Sequence, residues 1–559
     1  MIRFLALASL LSAALPALAQ PLGETRPEVV EEGAGPGLAA LGPEAWREDL
    51  GFLAERIRSV HPNPFRFTSA EAFESEVARL GTEIPELGPA GVLAGMLRAI
   101  ALTTDGHTRI QLGFPGLGGG AERILGFRRL PVRLYAFPDG LTVVAATPEW
   151  RRLLGARVTA IGGTDVEEVL ARAKSYVPAD NEEAALDRLP RLLEIPEIVA
   201  AMGLSASPDS VAITIDREGQ AEDLTLPAVP PPGTWVSARP TEPMPLYATR
   251  PNEPYWAEWL PDGTLYVQYN QVVDAEGESI EGFFERLFGE AETRGTQRMI
   301  LDMRFNTGGN NALNWPIVYG LIRSDMLNRR GALFVLIGRH TFSAAQNGVN
   351  ELERHTEVVF VGEPSGATPN HYGDAIGFET PNARIPFFVS TLFWQNHPRD
   401  ARPSTPPEVS APPTREAFLA GRDPALEAIE GWDPRPVVER LRDALESEGV
   451  DQAIEAFRSF RADARNRYVD VESDLNRLGY VLLRDGRVED ALRVFRLVVE
   501  THPESANAHD SFAEALEAAG EIDASIEQYE RAVELDPDGF VGQHAREVLE
   551  RIRAEREGT

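Results

Sequence analysis

The sequence predicts an α/β fold class in several domains, and three observations carry that expectation. Strand-like and helix-like runs alternate between Leu265 and Val361. A block of short β-prone runs lies ahead of them between about 129 and 228, and the C-terminal part repeats helical features at a fixed offset. At 559 residues the chain exceeds what a single core supports. Its 43% hydrophobic and 25% charged content is ordinary for a folded soluble protein.

Residues 1–19 read as a signal peptide. Arg3 supplies the positive region, Phe4 to Leu15 the apolar region, and Ala17-Leu18-Ala19 a small-x-small cleavage site. The expected location is therefore outside the cytoplasm, periplasmic or extracellular. No other run approaches eighteen apolar residues, so no membrane insertion is expected once the signal is removed. The chain has no cysteine, which excludes disulfides, thiol chemistry and a lipid-anchoring cysteine. A formal charge of −32 repels nucleic acid and anionic membrane, and neither is an expected partner.

After a Gly/Pro-rich stretch, residues 20–128 read as a helical region. Trp46, Leu50, Phe52, Leu53, Ile57 and Val60 fall at helical spacing. The turn His61-Pro-Asn-Pro-Phe65 ends that helix, because proline removes a donor and biases the residue before it away from α. Ser69 then caps a second helix, with Glu71 and Glu74 in its first turns.

Residues 129–235 form a β-rich module with strands over 130–137, 141–146 and 157–161. Its run Gly155-Ala-Arg-Val-Thr-Ala-Ile-Gly-Gly163 is similar to a strand-and-turn segment of PDZ-type domains.

Residues 236–432 follow a proline-rich edge. Strands are expected at 265–269, 298–304, 333–337 and 358–361, with helices at 280–294, 312–322 and 343–354 between them. That alternation predicts a partly parallel sheet.

In residues 433–559, Leu475, Gly479, Gly486, Ala491, Phe495 and Pro503 are echoed 34 positions later by His509, Ala513, Gly520, Ser525, Tyr529 and Pro537. The period, the turn glycine and the closing proline resemble the tetratricopeptide repeat, a protein-docking module. Ala453, Ile454 and Phe457 mark a degenerate upstream copy.

Three stretches carry chemistry. Ser343 follows the apolar run Ala332–Ile337 and precedes a helix, so its hydroxyl sits at a strand-to-helix turn where unpaired N–H groups gather. The stretch Leu301-Asp-Met-Arg-Phe-Asn-Thr-Gly-Gly-Asn310 ends in paired glycines. Their backbone can approach a ligand and offer N–H donors for an oxyanion, as can Ala344, the residue after the serine. Thr104-Asp-Gly-His-Thr108 holds His107, one of nine histidines, with a side chain that titrates near neutral pH as a base must. His61 lies in the proline turn, and His340 and His371 flank the Ser343 stretch. There is no Gly-x-Ser-x-Gly elbow, no His-Glu-x-x-His pair, no acidic calcium loop and no phosphate-cradling loop, so neither a metal nor a cofactor is expected.

Taken together and in order, Asp105-Gly-His-Thr108, Asp302-x-Arg-x-Asn-x-Gly-Gly309, Thr341-Phe-Ser-Ala-Ala345 and Val361-Gly-Glu-Pro364 resemble the tail-specific protease family, which includes carboxyl-terminal processing peptidases and the tricorn core protease. The resemblance spans about residues 45–430. It implies a crotonase-like (ClpP-like) β/α spiral for the catalytic core and hydrolysis of peptide or protein substrates by acyl transfer.

One branch of the family uses a Ser–Lys dyad. The only lysine here is Lys174, far from the place that dyad occupies, which Gly362-Glu-Pro-Ser-Gly-Ala-Thr-Pro369 fills. The tricorn-like branch uses a histidine that matches His107, with Ser343 as nucleophile and Gly308, Gly309 and Ala344 as oxyanion donors. That branch also has an acidic residue a little before a Pro-Asp pair, here Pro407-Glu408; counting back lands on Ala401, and its neighbour Asp400 is the candidate that orients the histidine, with Glu363 and Asp374 next. The family's tricorn-like members carry a serine before the histidine, where this chain has Gly106. The alternative reading is a catalytically inactive peptide-binding protein on the same scaffold. A crotonase-like acyl-CoA enzyme shares the oxyanion logic, but export removes it from the coenzyme A pool.

Overall fold

The computed structural model describes residues 41–113 and 120–557; the signal-peptide reading lies outside them. Two compact units divide the chain. One takes residues up to Pro407 and Ala411–Gly431, the other Glu408–Ser410 and everything from Trp432.

The first unit opens with three helices, α1 (Pro43–Val60), α2 (Ala70–Glu83) and α3 (Pro89–Ala101). Helix α1 buries the face Trp46, Leu50, Leu53, Ala54 and Ile57 and stops at His61, which is extended before Pro62. The Ser69 hydroxyl accepts from the Ala72 N–H at 3.1 Å and caps α2. Beyond α3 the backbone turns through Thr104, at φ +51°, into a short strand β1 (Arg109–Ile110).

The β-rich module is an antiparallel sheet in the order β2 (Val132–Phe137), β3 (Gly140–Ala146), β4 (Arg157–Ile161), β5 (Ser210–Arg217) and β6 (Gln220–Pro227). Helices α4 (Val166–Lys174) and α5 (Glu182–Leu193) connect β4 to β5, capped by the side chains of Asp165 and Asn181.

The sheet of the expected α/β layer runs β7 (Tyr255–Trp259), β8 (Leu265–Tyr269), β9 (Met299–Asp302), β10 (Leu333–Ile337) and β11 (Val359–Gly362). Strand β7 is antiparallel to β8, and every later pairing along this order is parallel. Helices α6 (Ile280–Arg294), α7 (Trp315–Ile322) and α8 (Ala344–His355) alternate with these strands. Every residue of β8, β9, β10 and β11 is buried, as a strand covered on both faces must be.

The expected helix at 312–322 opens as a 3₁₀ turn, Asn311–Asn314, ahead of Pro316 in the first turn of α7. Strand β9 ends at Asp302, the last residue in the ladder, and the Arg304 side chain beyond it folds back onto the Asp302 carboxylate. Parallel pairing of Asp302 with Leu336 brings the loops after β9 and β10 out side by side at one edge, the usual place for a site in such sheets.

Two further hairpin pairs complete this unit. Strand β12 (Asn370–Gly373) pairs with β15 (Leu392–Gln395), and β13 (Ile376–Glu379) pairs with β14 (Pro386–Val389). Strand β14 also takes β1 on its other side, Arg109 opposite Phe388 and Ile110 opposite Phe387. That pairing stitches the Asp105–Thr108 turn to a segment nearly three hundred residues later.

The second unit is helical: α9 (Val437–Glu448), α10 (Val450–Ala462), α11 (Glu472–Arg484), α12 (Val488–Thr501), α13 (Ala506–Ala519), α14 (Ile522–Leu535) and α15 (Phe540–Glu557). The 34-residue period corresponds to the pairs α11–α12 and α13–α14. The repeated Gly486 and Gly520 turn each pair at φ +76° and +78°. Gly479 is small because the Phe495 ring packs on it; a Cβ there would lie 2.6 Å from the ring. The degenerate upstream copy is α9–α10, with Ala453 and Phe457 buried.

Candidate active site

Ser343 stands directly before α8 in the strained backbone geometry φ +57°, ψ −128°. The turn leading to it is fixed by Thr341. Its hydroxyl donates to the Met303 carbonyl and accepts from the Gly338 N–H, each at 3.0 Å, tying the β10 loop to the end of β9. No Gly-x-Ser-x-Gly sequence is present, yet the nucleophile-elbow geometry is achieved by other means.

The Gly308-Gly309 loop lies against this turn. Gly308, at φ +106°, packs so closely that a Cβ would fall 2.7 Å from Ser343 Cβ and 2.9 Å from the Ala344 nitrogen. The loop is pinned from behind, the Val272 N–H donating to the Gly308 carbonyl at 3.0 Å and the Asn310 N–H to the Val272 carbonyl at 2.8 Å. Asn306 joins the two loops: its backbone carbonyl accepts from the Phe342 N–H at 3.1 Å, and its Oδ1 from the Gly308 N–H at 2.9 Å. The expectation that both glycines offer N–H groups is thereby corrected. The Gly308 N–H is spent on Asn306, and its part is to let the backbone come close. Among the described residues the Gly309 and Ala344 N–H groups make no hydrogen bond, Ala344 because the first helical N–H groups have no partner within the helix.

His107 comes to this point from the other end of the unit. Its Nε2 lies 2.9 Å from Ser343 Oγ, across 236 positions of sequence. The imidazole is buried and stacks on Phe342 at 4.3 Å between centroids, with His371 parallel to it at 5.9 Å. Burial drives its pKa well below the ordinary histidine value. The Asp105 carboxylate opposes that shift, and His371, Arg109 and Arg188 add to it. The ring is neutral near pH 7, the state a general base needs.

Asp105 is fully buried. Its Oδ1 accepts the His107 N–H at 2.9 Å and lies 3.9 Å from His107 Nδ1. Its Oδ2 accepts from Thr108 Oγ1 and Ser390 Oγ at 2.6 Å each, from His61 Nε2 at 3.1 Å and from the Thr108 N–H at 3.2 Å. The Asn63 N–H donates to His61 Nδ1, which leaves Nε2 as the protonated nitrogen of His61. Burial alone raises the pKa of Asp105. The hydrogen bonds and the neighbouring imidazoles outweigh it and hold the carboxyl below the usual range.

Asp400 does not play the part expected of it. Its carboxylate takes the Arg402 guanidinium at 2.7 Å, Arg402 reaches on to Glu353 at 2.8 Å, and no hydrogen bond joins Asp400 to His107. Glu363 pairs with Arg339 at 2.9 Å, and Asp374 accepts from Trp394 Nε1 at 2.7 Å. The carboxylate facing the imidazole is Asp105. It stood inside the quoted motif, and its place two residues before His107 in an Asp-Gly turn, where aspartate accepts the i+2 N–H, was the signal for it.

Gly106 also finds its reason. Its N–H donates to Asp180 Oδ1 at 2.6 Å, and a Cβ would lie 2.9 Å from the Arg188 guanidinium and from the Phe342 ring, so a serine at this position would displace one or both side chains. Lys174 sits on α4 in an exposed pair with Glu182. Asp302 and Arg304, prominent in the glycine motif, are braces: Arg304 is clamped between Asp302 and Asp423, each at 2.7 Å.

Residues 438–506 and 476–540 match the tetratricopeptide repeat model. No curated protein matches the chain. Among solved structures it is similar to mature CPAF complexed with lactacystin, at 13% identity and a TM-score of 0.47, covering 69% of this chain and 97% of that one. It is also similar to the photosystem II D1 C-terminal processing protease, at 14% identity and a TM-score of 0.33, covering 70% and 98%. The tricorn protease is similar at 11% identity and a TM-score of 0.30, covering 69% of this chain and 36% of that one.

Proposed function

We propose that this chain is an exported serine peptidase working through an acyl-enzyme. The observation that carries the reading is the 2.9 Å approach of His107 Nε2 to Ser343 Oγ at a strained turn before a helix. Ser343 Oγ attacks the scissile carbonyl carbon as His107 Nε2 takes its proton. The resulting oxyanion lies by the Gly309 and Ala344 N–H groups, where donors already in place cost no reorganisation. The same proton passes from Nε2 to the leaving amine, and water then hydrolyses the ester with His107 again as base. Asp105 holds the turn and its charge favours the imidazolium that forms midway. Peptides or proteins are the substrates, the helical repeats dock a protein partner, and no cofactor enters the scheme.

A fluorophosphonate probe tests this directly. Labelling confined to the peptide containing Ser343, and lost with peptide hydrolysis in Ser343→Ala at unchanged thermal stability, is the expected result. An unlabelled wild-type chain that still binds peptides would identify a receptor instead of a hydrolase.

A further inference from the structure

A cavity of about 210 Å³ opens beside the Ser343–His107 pair, bordered by His107, Thr307 and Phe342 and by a cluster of arginines. Its volume is several times the roughly 30 Å³ that one water occupies in the liquid, enough for a side chain. In a chain of net charge −32 this wall is basic: Arg109, Arg129, Arg188, Arg191 and Arg339 line it against Glu122 and Asp187.

The charges divide into two groups. Arg129 is paired with Glu122, Arg339 with Glu363, and Asp187 with His340. Arg109 and Arg188 have no ion pair among the described residues. Arg109 donates to the His107 carbonyl at 3.3 Å and lies over the Phe388 ring, and Arg188 donates to the carbonyls of Gly106 and Pro178. Both backbone acceptors next to the imidazole are thus neutral. Burial pulls Arg109 down to about 10 and lowers Arg188 as well, outweighing the pull of Asp105 on both and of Asp180 and Asp187 on Arg188. The rest of the wall is apolar, with Leu97, Ile110 and Leu192, and suits the methylene stem of an acidic side chain.

We propose that Arg109 and Arg188 form a carboxylate-binding subsite next to the reacting serine, which takes an acidic group of the substrate. A guanidinium pair matches a carboxylate in shape and charge, and bringing one in gives a direct counter-charge to two cations that make no ion pair among the described residues. The carboxylate comes from one of two sources, an aspartate or glutamate side chain flanking the scissile bond or the free terminus of the substrate. The proposal rests on the peptidase reading for its meaning but not for its test.

Binding is measured on the full-length Ser343→Ala chain, where hydrolysis plays no part. Three probes are titrated and followed by ligand-observed NMR: N-acetylglutamate amide with only a side-chain carboxylate, N-acetylalanine with only a terminal one, and neutral N-acetylglutamine amide. At least one acid is expected to bind tenfold or more tightly than the neutral probe, and which one identifies the source. Arg109→Gln removes that preference and Arg109→Lys restores part of it. Arg188→Gln does the same, its fold checked by thermal melting because Arg188 also supports the Gly106 turn. Equal binding of acids and neutral probe, no binding of either acid, or a preference untouched in Arg109→Gln overturns the subsite. The fluorophosphonate result stands or falls separately.

Discussion

Ser390 Oγ donates to Asp105 Oδ2 at 2.6 Å, joining β14 to the turn that presents His107. With the β1–β14 ladder one residue beyond that turn, this bond sets where the imidazole sits relative to α8. The position of His107 is therefore a property of the assembled unit and not of its local sequence.

Asp105→Asn tests that dependence. The carboxylate raises the His107 pKa against burial, so its loss lowers the basicity of the imidazole further. The expected outcome is a fall in kcat of about 10²–10⁴-fold, the range seen when an orienting aspartate is neutralised, with the acid limb of the kcat/KM profile moving to lower pH. Stability drops by about 3 kcal/mol, because a buried carboxylate with five donors is replaced by an amide that must turn a donor toward one of them. A variant with wild-type kcat would remove Asp105 from the scheme.

His371 supplies a pH test. Burial holds it down at about 4, against about 6.5 in the unfolded chain. Below pH 6.5 the unfolded state therefore binds the extra proton, and stability falls with pH by about 1.4 kcal/mol per unit until the folded imidazole titrates near 4. Asp180, pushed up to about 7 by burial, acts with the opposite sign, as do the raised carboxyls of Glu122 and Glu363. The whole-chain curve is a composite, so the difference between parent and His371→Asn is the quantity to read. Urea unfolding at pH 7.5, 5.5 and 4.5 should show the variant gaining about 2.5 kcal/mol on the parent across that range. Parallel curves would mean that His371 is not held neutral.

How much of this was legible depended on what each residue touches. The alternation from β8 to β11 and the repeat from α11 to α14 could be read because local periodicity and burial coincide there. Ser343 and His107 stood out because each lies in a turn of unusual composition. Asp105 was visible in the motif, but its role was assigned to Asp400 by counting along 397–408, a loop in which spacing fixes no direction. His61 read as a helix stop and Ser390 attracted no notice. Their contacts with Asp105 span 44 and 285 positions, and nothing local encodes them. The occupied N–H of Gly308 was hidden for the same reason, since the side chain two residues back claims it.

Gly308→Ala should be one of the most damaging small substitutions in the unit. The added methyl meets Ser343 Cβ at 2.7 Å and the Ala344 nitrogen at 2.9 Å, and φ of +106° disfavours any side chain. Relief requires the glycine loop to withdraw from Ser343, which carries the Gly309 donor with it. Loss of one oxyanion donor costs about 10²–10³ in kcat, and overpacking of this kind about 1–3 kcal/mol in stability. Fluorophosphonate labelling rate and melting temperature check the two effects independently. Full labelling at wild-type rate would show that the loop is not held against the serine.

Asp400→Asn separates the two carboxylates proposed to serve the histidine. Asp400 holds Arg402, which in turn holds Glu353 on α8, a partly exposed network away from the imidazole. Arg402 is more than a third exposed, so solvent screens the pair and its loss costs at most about 1 kcal/mol. Hydrolysis by Asp400→Asn should remain within about threefold of wild type, with an unmoved acid limb, because no charge that acts on His107 has changed. A hundredfold loss at unchanged stability would return the orienting role to Asp400 and require the 397–408 loop to swing toward the imidazole during turnover. The paired measurement with Asp105→Asn decides between the carboxylates, since each model predicts a large loss for one variant and near-silence for the other.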